Sequence, residues 1–153
     1  MEYGTIEREI HIDATPEVVY EVITTPEHIA HWWGFDVEFS PVTRGTGRMT
    51  RQRRDGRGQV VVPVSVVEAD APRRFAFRWV HPEDQAATPD NSFLVTFELV
   101  PAGGGTLLRL TEAGFREVGW EAAVLEAYYR DHCAGWDEHL PSLAAYAVGV
   151  VRP

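Results

Sequence analysis

The sequence contains no lysine, and all fourteen of its basic residues are arginine. A chain without a lysine amine forms no lysine Schiff base with a carbonyl compound, and it cannot build a phosphate-binding loop of the Walker type. The single cysteine, Cys133, excludes an internal disulfide and is typical of a protein from a reducing compartment. No apolar run approaches the roughly 20 residues needed to cross a bilayer, so no membrane span is expected.

The chain also lacks a recognisable export signal. Its first residues, Met1-Glu2-Tyr3-Gly4, carry neither the positive charge nor the apolar stretch of a signal peptide. Together with the single cysteine, this predicts a cytoplasmic location. Hydrophobic residues make up 44% of the sequence, which excludes a disordered chain and predicts one globular domain over residues 1–153.

The charge balance argues against nucleic acid as a partner. The formal net charge is -9, whereas phosphate binding needs a positive face. One local exception is a run of six arginines, Arg44, Arg48, Arg51, Arg53, Arg54 and Arg57. No aromatic residues interleave this run to stack on bases, so it is either a solvated pair of strands or a segment in which some arginines point inward.

Local patterns predict a mixed α+β chain. Residues 4–12 have the composition of a first strand, and from Gly34 to Thr111 apolar and polar residues alternate through six further strands. Between these regions, Thr15-Pro16-Glu17 and Thr25-Pro26-Glu27 each combine an N-cap, a proline at the first helical position and an acid in the first turn. They predict two short helices, the second ending at residue 31 or 32.

The C-terminal region carries an apolar stripe with helical spacing, which predicts a long helix near residues 118–147, kinked at Pro141. The stripe consists of Val124, Tyr128, His132, Trp136, Leu140, Leu143 and Ala147. Because tight turns favour antiparallel neighbours, we expect a seven-stranded antiparallel sheet curved around this helix. A curved sheet and a straight helix diverge along their length, so a cavity between them is also expected.

Segments spread over nearly the whole chain match a known family. They are a tryptophan-pair segment at residues 25–34, and the segments 68–75, 77–79, 95–99, 105–111, 114–115, 135–136 and 143–146. They resemble the family named after the activator of the heat-shock-protein-90 ATPase, in the START-like or SRPBCC superfamily, which implies the helix-grip fold. Two positions depart from the family pattern: Glu112 stands where relatives commonly have histidine, and Pro141 lies inside the last helix.

The resemblance leaves three functions open. Single-domain members of this superfamily bind lipids or polyketides, act as cyclases, or serve as co-chaperone modules, and the fold does not decide among them. We expect the chain to bind a small, largely apolar molecule with one polar end. The alternatives are a cyclase- or hydrolase-type enzyme acting on such a ligand, and a module that contacts a chaperone; a homodimer is also open.

Strand parity supplies candidate polar residues for the cavity. Side chains two and four residues after the core position Met49 share its face on an unbroken strand, which places Arg51 and Arg53 on the concave side. The same parity turns Glu112 inward beside two leucines. A buried unpaired charge costs several kcal/mol, so we expect Glu112 either to pair with an arginine or to meet solvent at the mouth of the cavity.

Aromatic residues supply the candidate walls. The tryptophans at 32, 33 and 79 close one end of the fold, as core residues or as a pocket lining. His132 lies on the helical stripe, either as a hydrogen-bonded core residue or as a polar group facing the ligand. The complete set of predicted ligand-binding residues is Trp33, Arg51, Arg53, Trp79, Phe93, Glu112, Tyr128, His132 and Trp136.

Other kinds of site find little support. The six histidines are scattered without a zinc-like spacing, and Cys133 lies within an apolar helix where a thiol is usually inert. Gly103-Gly104-Gly105 has the character of a hairpin turn rather than of a nucleotide loop. The sequence therefore predicts no metal and no cofactor, and it assigns no catalytic residue.

Overall fold

The computed structural model describes residues 4–53, 55–81, 85–115 and 117–151. These residues form an α+β fold with a seven-stranded antiparallel sheet, two short helices after the first strand and a long C-terminal helix. In chain order the elements are β1 (Ile6–Ile12), α1 (Pro16–Thr24), α2 (Pro26–Trp32), β2 (Asp36–Phe39), β3 (Thr46–Gln52), β4 (Gln59–Asp70), β5 (Arg74–Trp79), β6 (Phe93–Ala102), β7 (Gly105–Ala113) and α3 (Ala122–Val151). The predicted helix-grip arrangement is confirmed.

The two short helices form where the Thr-Pro-Glu segments predict them. The Thr15 hydroxyl accepts a hydrogen bond from the backbone N–H of Val18 at 3.3 Å, which caps α1. The indole N–H of Trp32 in α2 donates to the carbonyl of Val22 in α1 at 3.0 Å and joins the two helices. Their apolar faces are buried in the core, so α1 and α2 act as one lid on the sheet.

The sheet has the strand order β1-β7-β6-β5-β4-β3-β2, so every neighbouring pair except β1 and β7 is consecutive in the chain. Gly56 and Gly58, between β3 and β4, have φ angles of 72° and 104°, the left-handed conformation that the hairpin requires. At the other side of the sheet, β1 pairs with β7 and places Ile6 opposite Glu112. This register fixes Glu112 on the face that the helices cover.

Helix α3 differs from its predicted bounds, because it begins at Ala122 rather than near residue 118 and continues to Val151. The late start has a local cause: Gly119 adopts a φ of 67°, which ends the preceding turn before a helix can form. The helix runs through Pro141, whose side chain is exposed. None of the three helices, over the residues described, combines the length and apolar character that a membrane crossing requires.

The apolar stripe of α3 is buried only in its second half. Trp136, Leu140 and Leu143 are buried, whereas the Val124 and Tyr128 side chains are 44% and 37% exposed. The first two turns of the stripe are therefore not covered by the sheet. Because the N-terminal part of the helix diverges from the sheet, space opens between them.

Candidate functional site

A cavity of about 850 Å³ lies between the N-terminal half of α3 and strands β2 to β5. This volume is in the range of pockets that enclose a small organic ligand. Its lining comprises Trp33, Gly34, Phe35, Asp36, Thr50, Arg51, Gln52, Val60, Val62, Trp79, Val80, Tyr128, Asp131, His132, Ala134, Gly135, Trp136, Glu138 and His139. The α3 residues come from successive turns of the helix. The others come from strands β2 to β5, from the segment 33–35 between α2 and β2, and from Val80 after β5.

Trp33 lies at the centre of an aromatic wall of the cavity. Its ring centroid is 5.2 Å from that of Trp79, 5.1 Å from that of Trp136 and 5.4 Å from that of Phe35. Trp32 stacks behind it at 5.1 Å, is buried and does not line the cavity. Aromatic rings packed at these distances form a rigid apolar surface, against which a flat ligand can stack.

Arg51 brings a positive charge into this apolar surface. Its side chain is half-buried, and the guanidinium carbon lies 5.4 Å from the ring centroid of Phe35, within the range of a cation–π contact. The Nε atom is buried and has no hydrogen-bond partner among the described residues. A buried N–H without an acceptor costs about 1–3 kcal/mol, so this position favours a ligand that supplies an acceptor.

Arg53 does not share the position of Arg51. It is exposed and follows the end of β3, where its backbone N–H donates to the carbonyl of Gly58 in the hairpin turn. The parity argument failed for Arg53 because the strand ends one residue before it. Arg44, Arg48 and Arg57 are also exposed, and Arg54 lies outside the described residues.

Glu112 is fully buried, and its carboxylate accepts three hydrogen bonds from nitrogen. The indole N–H of Trp79 donates to Oε2 at 2.7 Å, and Nδ1 of His132 lies 2.9 Å from the same oxygen. The indole N–H of Trp136 donates to Oε1 at 2.9 Å. The expected alternatives, an arginine partner or solvent, are both wrong. Strand β3 lies four strands from β7, about 19 Å at roughly 4.8 Å per strand, which is too far for its arginines to reach.

His132 connects Glu112 to the cavity. Its ring is held among aromatic neighbours, with centroids 5.3 Å from Trp79, 5.5 Å from Phe93 and 5.8 Å from Tyr128. The side chain lines the cavity and is 9% exposed. Of the other predicted residues, Phe93 is completely buried behind the lining, whereas Tyr128 lies at the more exposed end of the cavity.

The histidine pair on α2 has a packing role. Nδ1 of His28 is 2.6 Å from the hydroxyl of Tyr146, and the ring of His31 stacks on Tyr146 with a centroid distance of 5.3 Å. Both contacts join α2 to the C-terminal part of α3. No group of three potential metal ligands occurs in the part of the chain that the structure describes.

Several lining residues were not predicted from the sequence. Phe35 opens the alternation of Phe35, Val37 and Phe39, a signal that could have placed it on the inner face, whereas the unbroken valine run at residues 60–62 gives no such signal. Gly135 lies between His132 and Trp136 on α3, and a Cβ added there would meet nothing closer than the His139 ring carbon at 4.0 Å.

Comparison with known proteins gives a family match and a set of similar folds. The family described as "Activator of Hsp90 ATPase homolog 1-like protein" matches residues 13–147. A solved protein from Mesorhizobium loti shares 21% identity, with a TM-score of 0.71 over 93% of this chain and 95% of that one. The Aha1 dimer from Colwellia psychrerythraea shares 20% identity, with a TM-score of 0.68 over 92% of each chain. No curated protein sequence gives a significant match.

Proposed function

This chain belongs to the Activator of Hsp90 ATPase homolog 1-like family, and we propose that it binds a small, largely apolar ligand with one anionic or polar end in the cavity between the sheet and α3. The aromatic wall formed by Trp33, Trp79 and Trp136 would take the apolar body of the ligand. Tyr128 and His132 border the same space from the helix side. We further propose that residues 1–153 act as one domain and that the protein works in the cytoplasm.

The observation that carries this proposal is the half-buried guanidinium of Arg51 in an aromatic cavity. None of the described acidic side chains forms an ion pair with Arg51, and no described residue supplies an acceptor for its Nε atom. An arginine in such a place gains most from a carboxylate, sulfonate or phenolate, because a charge-assisted hydrogen bond is about twice as strong as a neutral one. A ligand with one anionic end and an aromatic body satisfies both parts of the cavity.

Two fluorescent probes with the same ring skeleton test the proposal. The first is 8-anilinonaphthalene-1-sulfonate, and the second is N-phenyl-1-naphthylamine, which lacks the sulfonate. We expect Arg51→Met to weaken binding of the sulfonate probe by about 10–100-fold, corresponding to a charged hydrogen bond of about 1.5–3 kcal/mol. Binding of the neutral probe should change little. Arg53→Met removes the same charge outside the cavity and should affect neither probe.

A blocking variant shows whether the probes occupy this cavity. Gly135→Trp projects a large side chain from α3 into the open space, and we expect it to abolish binding of both probes while circular dichroism stays native. The proposal fails if the wild-type protein binds neither probe. It also fails if Gly135→Trp leaves binding unchanged, or if Arg51→Met weakens binding of the two probes equally.

A further inference from the structure

The hydrogen-bond geometry around the buried Glu112 suits a carboxylate that accepts at both oxygens. Both of its oxygens face nitrogen donors, two at Oε2 and one at Oε1. The two indoles can only donate, and a carboxylate accepts from both of them and from Nδ1–H of His132 at the same time. The carboxylate form satisfies all three contacts and places a negative charge directly behind the lining residues Trp79, His132 and Trp136.

This carboxylate fixes the orientation of His132 and the tautomer of its ring. Nδ1 lies 2.9 Å from Oε2, so in the neutral ring Nδ1 must carry the hydrogen, and the free lone pair is then on Nε2. Within the described residues, Nε2 has no hydrogen-bond partner. The ring lines the cavity and retains solvent exposure, so a ligand can reach its free edge.

His132 differs from the other titratable residues of the cavity in its contact with a buried carboxylate. The other titratable groups that line the cavity from α3 are Tyr128, Asp131, Glu138 and His139. From the sheet side the lining contributes Asp36 and Arg51. Among these titratable lining residues, His132 contacts the fully buried Glu112, and Trp79 packs against its ring and donates to the same carboxylate oxygen.

We propose that the Glu112–His132 pair takes up the proton of a phenol hydroxyl group on the ligand. The cavity then selects phenols and holds them as phenolates. In this step the ligand O–H bond breaks, its electron pair stays on oxygen, and an N–H bond forms at Nε2 of His132. The resulting imidazolium lies between the Glu112 carboxylate and the phenolate, and the total charge of the three groups stays at minus one. This inference rests on the proposed function, because it names the ligand class for the same cavity.

The geometry favours a phenol over a carboxylic acid at this end of the cavity. A carboxylic acid is already ionised near neutral pH and would present lone pairs to the lone pair of Nε2. A phenol brings the hydrogen that this nitrogen lacks, and its ring can lie against the aromatic wall. The negative charge that forms on the phenol oxygen is then stabilised by the new imidazolium.

4-Nitrophenol is a suitable probe because its phenolate is coloured and the neutral phenol is not. The protein is added in buffer about one unit below the pKa of the free phenol, where about a tenth is ionised. A shift of one unit in favour of the phenolate raises that share to about half, so we expect the phenolate absorbance per bound molecule to increase about fivefold or more. Calorimetry measures binding independently, and 4-nitroanisole serves as the probe without a hydroxyl group.

The informative variant is His132→Asn, whose side-chain N–H takes the place of Nδ1–H toward Glu112 but offers no base at the cavity. We expect it to bind 4-nitrophenol without the rise in phenolate absorbance, whereas His11→Asn, the same change at an exposed site on β1, keeps the rise. Near-ultraviolet circular dichroism checks that both variants are folded.

The possible results separate the two proposals. Absence of binding of both nitro probes and both naphthalene probes would overturn the proposed function and this inference with it. Absence of 4-nitrophenol binding to a protein that binds the naphthalene probes would overturn the inference alone. Binding of 4-nitrophenol without ionisation would overturn the inference alone. So would a phenolate signal that survives in His132→Asn, or one that disappears only in Arg51→Met, because the arginine would then be the group that stabilises the phenolate.

Discussion

Replacing Glu112 by glutamine tests how strongly the buried carboxylate organises the fold. The substitution keeps the shape of the side chain but exchanges one acceptor oxygen for an NH₂ group. If the amide oxygen takes the place of Oε2, the NH₂ group faces the indole N–H of Trp136. If the amide is turned over, the NH₂ group faces the indole N–H of Trp79, and His132 must change tautomer. Either orientation leaves one buried indole without an acceptor.

The expected cost follows from these contacts. One buried donor without a partner costs about 1–3 kcal/mol, and the remaining hydrogen bonds lose the strength that the charge gives them, roughly 1 kcal/mol each. The neutral side chain returns part of the free energy spent on burying the charge, which offsets some of this loss. We therefore expect Glu112→Gln to lower the free energy of unfolding by about 2 kcal/mol.

Urea denaturation followed by far-ultraviolet circular dichroism measures this change. With a slope of about 2 kcal/mol per molar urea, the midpoint should fall by about 1 M. Glu9→Gln is the matched control, because Glu9 pairs with Arg109 at 2.8 Å where both side chains are more than half exposed, and such pairs contribute about 0.5 kcal/mol or less. Equal midpoints for the two variants, or a gain in stability for Glu112→Gln, would refute the reasoning.

Two further substitutions test the stability of helix α3 and the loss of protein stability at alkaline pH. Gly135→Ala should raise the free energy of unfolding by about 0.8–1 kcal/mol, because the new methyl group meets nothing closer than 4.0 Å. Gly149→Ala, in the last turn of α3, should gain less, because helix ends are less firmly held than helix interiors. Thermal denaturation compares the two variants, and no gain at Gly135 would contradict this reading. Burial, with smaller contributions from Asp70 and Glu68, raises the pKa of Tyr20 above its ordinary value near 10. The folded state therefore disfavours the Tyr20 phenolate, and Tyr20→Phe should lose less stability than the wild-type protein as the pH rises through about 10. Urea denaturation on both sides of that pH measures the difference. If the free energy of unfolding falls equally with pH in both proteins, Tyr20 makes no such contribution.

The local patterns of the sequence predicted the elements of the fold, but not how the site is connected. Alternation located the strands, and the Thr-Pro-Glu segments located both short helices, because these signals act within a few residues. The partners of Glu112 lie 20, 24 and 33 residues away on α3 and β5, so no local pattern could name them. The positions of Arg51 and Arg53 depended on where β3 ends, and strand ends are set by the hairpin rather than by the alternation.

The order of strands in the sheet has a consequence for the synthesis of the chain. Hairpins from β2 to β7 can form as each strand leaves the ribosome, but β1 has no partner until β7 arrives; the bond from Thr106 to the carbonyl of Ala14 spans 92 residues. When Glu112 leaves the ribosome, Trp136, which donates to its Oε1, follows 24 residues later. At about 5–20 residues per second, the nascent chain carries this incompletely satisfied charge and an uncovered apolar sheet face for about 1–5 s. A pause in translation within that interval would lengthen the time during which the growing chain can aggregate.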